Sequence, residues 1–287
     1  MRKKFAIIIP SYDRVNVLLT HTLKMLKDYN YNGKIYVIVD DSDPQLEKYK
    51  EHIPEEQLYI FHKPDYYDYY DTCYNKKKIE TKLYALGFID ELVNDLNLDY
   101  YYIIDDDIKE FQALKEKVNL NFNEIINFLI DFMDNAKSID CLGFSPVGVY
   151  NNIGNVGNTS IVNYDMIGNY FFRKNHKLDF ISSLNEEKGT IAKNLEIGNL
   201  MFTILLHDYK FGYTGIDWYF FEKDDDIGGN SKMYTYFSKN FYNYKYIELL
   251  FTLMVRPNYF NYIKLNNKIS ANSHFKSPKI IDERWKK

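Results

Sequence analysis

Cysteine is nearly absent. The chain has two, Cys73 and Cys141, with no C-x-x-C spacing and no histidine-rich partner segment. A disulfide framework and a zinc site are therefore not expected, and a reducing, cytoplasmic compartment is. Long apolar runs are missing too. The opening MRKKFAIIIPSYDR carries five apolar residues before Pro10 and no small-residue cleavage site after it, so it reads as a first strand, not as a signal peptide. ELLFTLMV, near residue 250, is far too short to cross a bilayer. Neither charge is in large excess: a net charge of -4 argues against a protein wrapped in nucleic acid, while leaving room for a local basic patch. Internal repeats, low-complexity linkers and a clear domain boundary are lacking as well.

What is present is a chain of 287 residues, 46% hydrophobic and 17% aromatic, enough for a sizeable core. The 28 Tyr and 20 Phe fit an AT-rich coding bias as well as a functional need. FAIIIP (5–10) is a continuous apolar run, followed by a helical pattern through Leu19, Leu23 and Leu26 that ends near Asn32-Gly33. KIYVIVDDSDP and QLYIFHK (57–63) are further strands. KKKIETKLYALGFIDELVNDL is a helix with Ile79, Leu83, Leu86, Ile89 and Val93 on one face, and YYIIDDDIKEF (101–111) is a fourth strand. Strands apolar on both faces and alternating with helices predict an α/β fold with a mostly parallel sheet. Further on come a helix over NEIINFLIDFMDNAK, strands at CLGFSPVG and TSIVNYDMIGNYFFRK, and a helix over NLEIGNLMFTILLHDYKFG with Glu196 in its first turn, where the helix dipole favours an anion. These later strands suggest a smaller mixed or antiparallel portion.

In parallel sheets ligands bind outside the carboxyl ends of the strands. Ser11, Asp13 and Arg14 follow the first strand, Asp40 and Asp41 the second, and Asp105, Asp106 and Asp107 the fourth. Asp105 and Asp107 fall on one face of an extended segment, a D-x-D pair able to hold Mg²⁺ or Mn²⁺ together with substrate phosphates. The plainer alternative is a solvated strand end. Asp40 or Asp41 accepts from a nucleotide base or ribose, or DDSDP is an acidic turn. Ser11 or Asp13 caps a helix, and Arg14 pairs with a phosphate or with an acid across the site. Glu196 is a general base or an ordinary first-turn acid. His274 is a metal ligand or a plain surface or core histidine. Gly228-Gly229 allows close backbone approach or is a simple turn.

IIIPSYDR, VDDSD, IIDDDI and NLE together resemble a GT-A glycosyltransferase, a Rossmann-like α/β fold. With the later GG and WKK they resemble most the TET-associated glycosyltransferases, largely phage enzymes that sugar-modify hydroxymethylated pyrimidines in DNA. The resemblance implies a single GT-A domain over 1–287, with a nucleotide-sugar half (1–111) and an acceptor half (112–287). It implies Ser11, Tyr12, Arg14, Asp40, Asp41, Asp105 and Asp106 at the donor, and Asp105, Asp107 and His274 at Mn²⁺ or Mg²⁺. Asp107 and Glu196 would be catalytic, with Glu196 at the acceptor. Where the family pattern carries an arginine-containing helix, Lys78 or Lys82 substitutes, and NLE has Ile197 in place of a second acid. The implied donor is a UDP-sugar, UDP-glucose first, and the implied partner is DNA, in the host cytoplasm if the chain is phage-encoded. No membrane span or obligate protein partner is implied.

The last 24 residues carry Lys264, Lys268, Lys276, Lys279, Arg284, Lys286 and Lys287 against Asp282 and Glu283, a tail suited to a phosphate backbone or simply solvated. A glycan acceptor shares every donor-side residue. A sugar-phosphate nucleotidyltransferase would want a glycine-rich loop after the first strand, and PSYDR has none. A binding module with a degenerate site is the non-enzymatic alternative.

Overall fold

A computed structural model describes residues 3–67, 82–113, 116–117, 121–137, 139–146, 170–174, 200–211, 261–265 and 268–272. Along the chain run β1 (Phe5–Pro10), α1 (Val15–Thr20), α2 (Thr22–Asp28), β2 (Lys34–Asp40), α3 (Leu46–His52), β3 (Leu58–Phe61), α4 (Lys82–Asp95), β4 (Tyr100–Ile103), β5 (Ile108–Ala113) and β6 (Glu116–Lys117). Then follow α5 (Phe122–Asn135), β7 (Ile139–Pro146), β8 (Tyr170–Arg173), β9 (Leu200–Phe211), β10 (Asn261–Leu265) and β11 (Lys268–Asn272). Among the described residues one sheet has the order β3-β2-β1-β4-β8-β7-β9-β5-β6, and β10-β11 form a separate antiparallel pair.

The first four strands are parallel, with β1 between β2 and β4. This follows from their composition: each is apolar on both faces, which only a strand covered on both sides can bury. Alternate residues feed two cores. Ile7, Ile9, Val37, Val39 and Tyr102 pack with Leu18, Met25, Leu26, Tyr49 and the inner face of α5. Ala6, Ile8, Ile38, Tyr101 and Ile103 pack with Leu83, Leu86, Ile89 and Val93 of α4. The second half of the sheet is mixed: β8 runs antiparallel to β4 and β7, β9 parallel to β7, and β5 antiparallel to β9. A mostly parallel sheet with a mixed portion is what the sequence predicted.

Three expectations are corrected. The helix after β1 is broken at His21, whose φ of -112° and ψ of -89° are not helical, and it stops at Asp28 before Asn30 takes a left-handed φ of 55°. Residues 200–211 are a strand and not the helix expected over 194–212, because they pair with β7 on one side and β5 on the other. A short apolar run is ambiguous by periodicity, and tertiary pairing decided it. Residues 106–107 form a turn between β4 and β5, so the acids are not on a continuous extended segment. No described helix is long and apolar enough to cross a membrane.

Candidate active site

Because β1, β2, β3 and β4 are parallel, their carboxyl ends share one edge of the sheet, and the chain turns there four times. After β1, the Ser11 N–H donates to the Ile38 carbonyl (3.0 Å), holding the loop against β2. Asp13 then takes a left-handed φ of 53°, its N–H donating to Asp43 Oδ2 (2.8 Å). That reversal aims Arg14 at the end of β4.

There it meets the acids. Arg14 Nη1 lies 3.0 Å from Asp106 Oδ1 and its Nη2 donates to Asp107 Oδ2 at 2.9 Å. Lys82, at the start of α4, donates to Asp105 Oδ1 (2.8 Å). Three carboxylates in a row thus face two cations, which lowers the like-charge repulsion between neighbours. The three side chains are unequal: Asp105 and Asp107 are 24% and 22% exposed, Asp106 only 5%. Asp106 points inward, accepting from Ser11 Oγ at Oδ2 (2.6 Å). Ser11 Oγ is in turn 2.7 Å from the Tyr49 hydroxyl, which also accepts the Arg14 N–H (3.1 Å). Thr22 Oγ1 donates to the Asp105 carbonyl (2.7 Å) and accepts the Ile108 N–H (2.9 Å), fixing the turn that carries the acids.

Burial sets the charge states. It pushes the Asp106 carboxyl up to about 7, with Arg14 pulling the other way and Asp107 adding to the rise. Asp105 is raised by the same cause, offset in part by Lys82. For Arg14 burial opposes the cation, but Asp106 and Asp107 outweigh it and raise its pKa.

At the end of β2, Asp40 and Asp41 separate. Asp40 is buried; its Oδ1 accepts from the Ser42 N–H (2.8 Å) and hydroxyl (2.7 Å), and its Oδ2 lies 3.5 Å from Lys63 Nζ. Asp41 is exposed and pairs with His62 Nδ1 at 2.6 Å. That pairing raises the His62 pKa. At Asp41 burial is the largest influence and pushes the pKa up, but hydrogen bonds from His62 and its neighbours and the His62 charge together outweigh it and lower the pKa. The Tyr12 ring stands 5.9 Å from Lys63 Nζ.

Of the residues expected from sequence, Ser11, Arg14, Lys82, Asp105, Asp106 and Asp107 are therefore in one connected group, and Tyr12, Asp40 and Asp41 in a second group along the same edge. Lys78, Glu196, His274 and Gly228-Gly229 lie outside the described residues, as does most of the basic tail; Lys264 and Lys268 sit in β10 and β11. The described residues 200–211 offer no helix to support the dipole argument for Glu196. Sequence reasoning missed Tyr49, Thr22 and Lys63, each on or beside an element that contacts the edge only through folding; Lys63, next to Pro64 at the close of QLYIFHK, was the one with a positional signal.

The donor set suits a hard cation. Asp107 Oδ1 is buried and accepts no hydrogen bond among the described residues, an arrangement costly for a carboxylate unless something positive reaches it. Among those residues no group of three or more His, Cys, Asp or Glu is arranged around a metal position, so Asp105 and Asp107 would share the ion with substrate oxygens, as Mg²⁺ sites commonly do.

The class that the sheet order defines is an α/β fold whose parallel strands bring acids to one edge. The TET-Associated Glycosyltransferase family matches residues 5–213, and the chain belongs to that family. Similar solved structures include the mannosyltransferase PcManGT from Pyrobaculum calidifontis in complex with GDP-Man and Mn²⁺, at 11% identity and a TM-score of 0.44 over 73% of this chain and 57% of that one. TarS from S. aureus with UDP-GlcNAc is 13% identical, with a TM-score of 0.42 over 72% and 58%. Glucosyl-3-phosphoglycerate synthase from Mycobacterium tuberculosis with Mn²⁺, UDP and glucosyl-3-phosphoglycerate is 10% identical, with a TM-score of 0.42 over 72% and 70%. The chain spans less than two thirds of the first two. No curated protein matches it in sequence.

Proposed function

We propose that the chain is a nucleotide-sugar-dependent hexosyltransferase that moves glucose from UDP-glucose onto a hydroxymethylated pyrimidine in DNA. The observation that carries the reading is the family match over residues 5–213, a span that takes in every acid at the sheet edge. Asp105 and Asp107 would hold Mn²⁺ or Mg²⁺, whose charge offsets that of the departing diphosphate. Arg14, already fixed by Asp106 and Asp107, keeps a cation beside that diphosphate, and Lys82 does the same from α4. Tyr12 and Asp40 or Asp41 receive the nucleoside end. Glu196 takes the proton of the hydroxymethyl group as its oxygen bonds to the anomeric carbon; the bond from that carbon to the phosphate oxygen breaks, and the configuration inverts. His274 would be a further ligand to that metal. The basic tail tracks the phosphate backbone, so DNA retention weakens with added salt.

The test is transfer itself. Duplex DNA containing 5-hydroxymethylcytosine or 5-hydroxymethyluracil is offered with UDP-glucose and Mn²⁺, unmodified DNA serving as control, and nucleosides are weighed by mass spectrometry. The expected result is a hexose-sized gain on the modified base alone. Donor hydrolysis with no gain on any base would reject DNA as acceptor and move attention to a glycan.

A further inference from the structure

Lys63 is a buried charged group at this edge to which the reaction above gives no part. It follows β3 and is buried, with 5% of its surface exposed. Its Nζ lies 3.5 Å from Asp40 Oδ2 and 5.9 Å from the ring centres of both Tyr12 and Tyr84. Its backbone N–H donates to the Asp41 carboxylate. One residue thus joins the loop after β1, the acids after β2 and the first turn of α4.

Burying an ammonium and a carboxylate carries a desolvation penalty that a methionine of similar length would avoid, so the pair is poorly explained by stability alone. What the pair does supply is geometry. Asp40 Oδ1 is already held by Ser42, and Lys63 fixes the electrostatics of the other oxygen. The same ammonium attracts the faces of the two tyrosine rings, one of which belongs to the PSYDR loop. Lys63 follows β3, and β2 and β1 stand between β3 and the acid-bearing end of β4.

We propose that Lys63 is a positioning residue for the nucleoside half of the donor: it holds Asp40 and Tyr12 in the arrangement that receives base and ribose. The proposal rests on the donor reading above. It makes Lys63 a determinant of donor affinity and leaves the bond-breaking step to the residues at β4.

The experiment is calorimetric titration of the full chain with UDP, GDP, CDP and ADP in chelator, for wild type, Lys63→Met, Lys63→Arg, Asp40→Asn and the Lys63→Met/Asp40→Asn double variant, with a melting curve for each. The tightest-binding nucleotide is expected to bind Lys63→Met about ten- to a hundredfold more weakly, the range that supporting partners of a binding group usually command. Lys63→Arg recovers part of the loss, and the double variant binds no worse than Asp40→Asn, since both changes remove one unit. With the sugar donor, KM rises while kcat stays. Lys63→Met binding as tightly as wild type, or additive losses in the double variant, overturns the role. Should Lys63→Met fail to melt cooperatively, the charge-free double variant against Asp40→Asn carries the same decision. A wild-type chain that binds none of the four nucleotides, either in chelator or with Mn²⁺ added, removes the donor reading and this role together.

Discussion

Asp106 is the least exposed of the three acids and the one whose chemistry is most altered by folding. Its carboxyl holds a proton up to about pH 7 in the folded chain and releases it near 3.8 when unfolded. The folded state therefore binds more protons between those values, and stability falls as pH rises through that window. Stability from this group is complete below pH 3.8 and gone above about 7. Urea unfolding of the metal-free protein at pH 5 and pH 8 is expected to show a loss on the order of a few kcal/mol that shrinks in Asp106→Asn. An unchanged pH dependence in the variant would place the titration elsewhere. Arg14 is the counterpart: Arg14→Met leaves the inward carboxylate without its cation and is expected to lower the unfolding free energy by about 3 kcal/mol, measured by urea titration at pH 8. Which acids line up after an apolar strand was legible in the sequence. That Asp106 turns inward to Ser11 and Tyr49 was not, because Tyr49 comes from a helix 57 positions earlier whose approach depends on the fold.

Among the elements, β1 carries the most: it pairs with strands on both sides and feeds side chains to both cores. Ile8 is fully buried, so Ile8→Ala should cost about 2–5 kcal/mol by loss of transfer energy and by the cavity left behind. The α5 cap is a smaller matter. Asn121 accepts the Asn123 N–H at 3.1 Å, and Asn121→Ala should cost about 1 kcal/mol, both read as shifts in urea midpoint. Equal costs for the two would contradict the burial argument. The strands β1 to β4 and helix α5 could be read from residue order since their apolar periodicity is unbroken. The strand β9 could not, because LMFTILLHDYKF suits a buried helix as well as a buried strand and only its neighbours β7 and β5 decide. The short α3 was masked by its charges, LEKYKEH presenting little beyond Tyr49 to a core.

At the scale of the whole molecule, the parallel half of the sheet does one thing: it brings four strand ends to one edge, where acids and their cations collect. Asp105, Asp106 and Asp107 with Arg14 and Lys82 form one group, where the proposed metal would sit, Asp40 with Lys63 and Tyr12 form another, proposed to receive the nucleoside, and the family match covers both. The proposed function requires the turn after β4 to bind a nucleotide diphosphate through a divalent cation. Titration of UDP into the protein with Mn²⁺ and with chelator, for wild type and Asp107→Asn, tests it most directly. Mn²⁺ is expected to tighten UDP binding by about tenfold or more, and Asp107→Asn to abolish the gain. UDP binding that is indifferent to Mn²⁺, or a Mn²⁺ gain that survives Asp107→Asn, would contradict it.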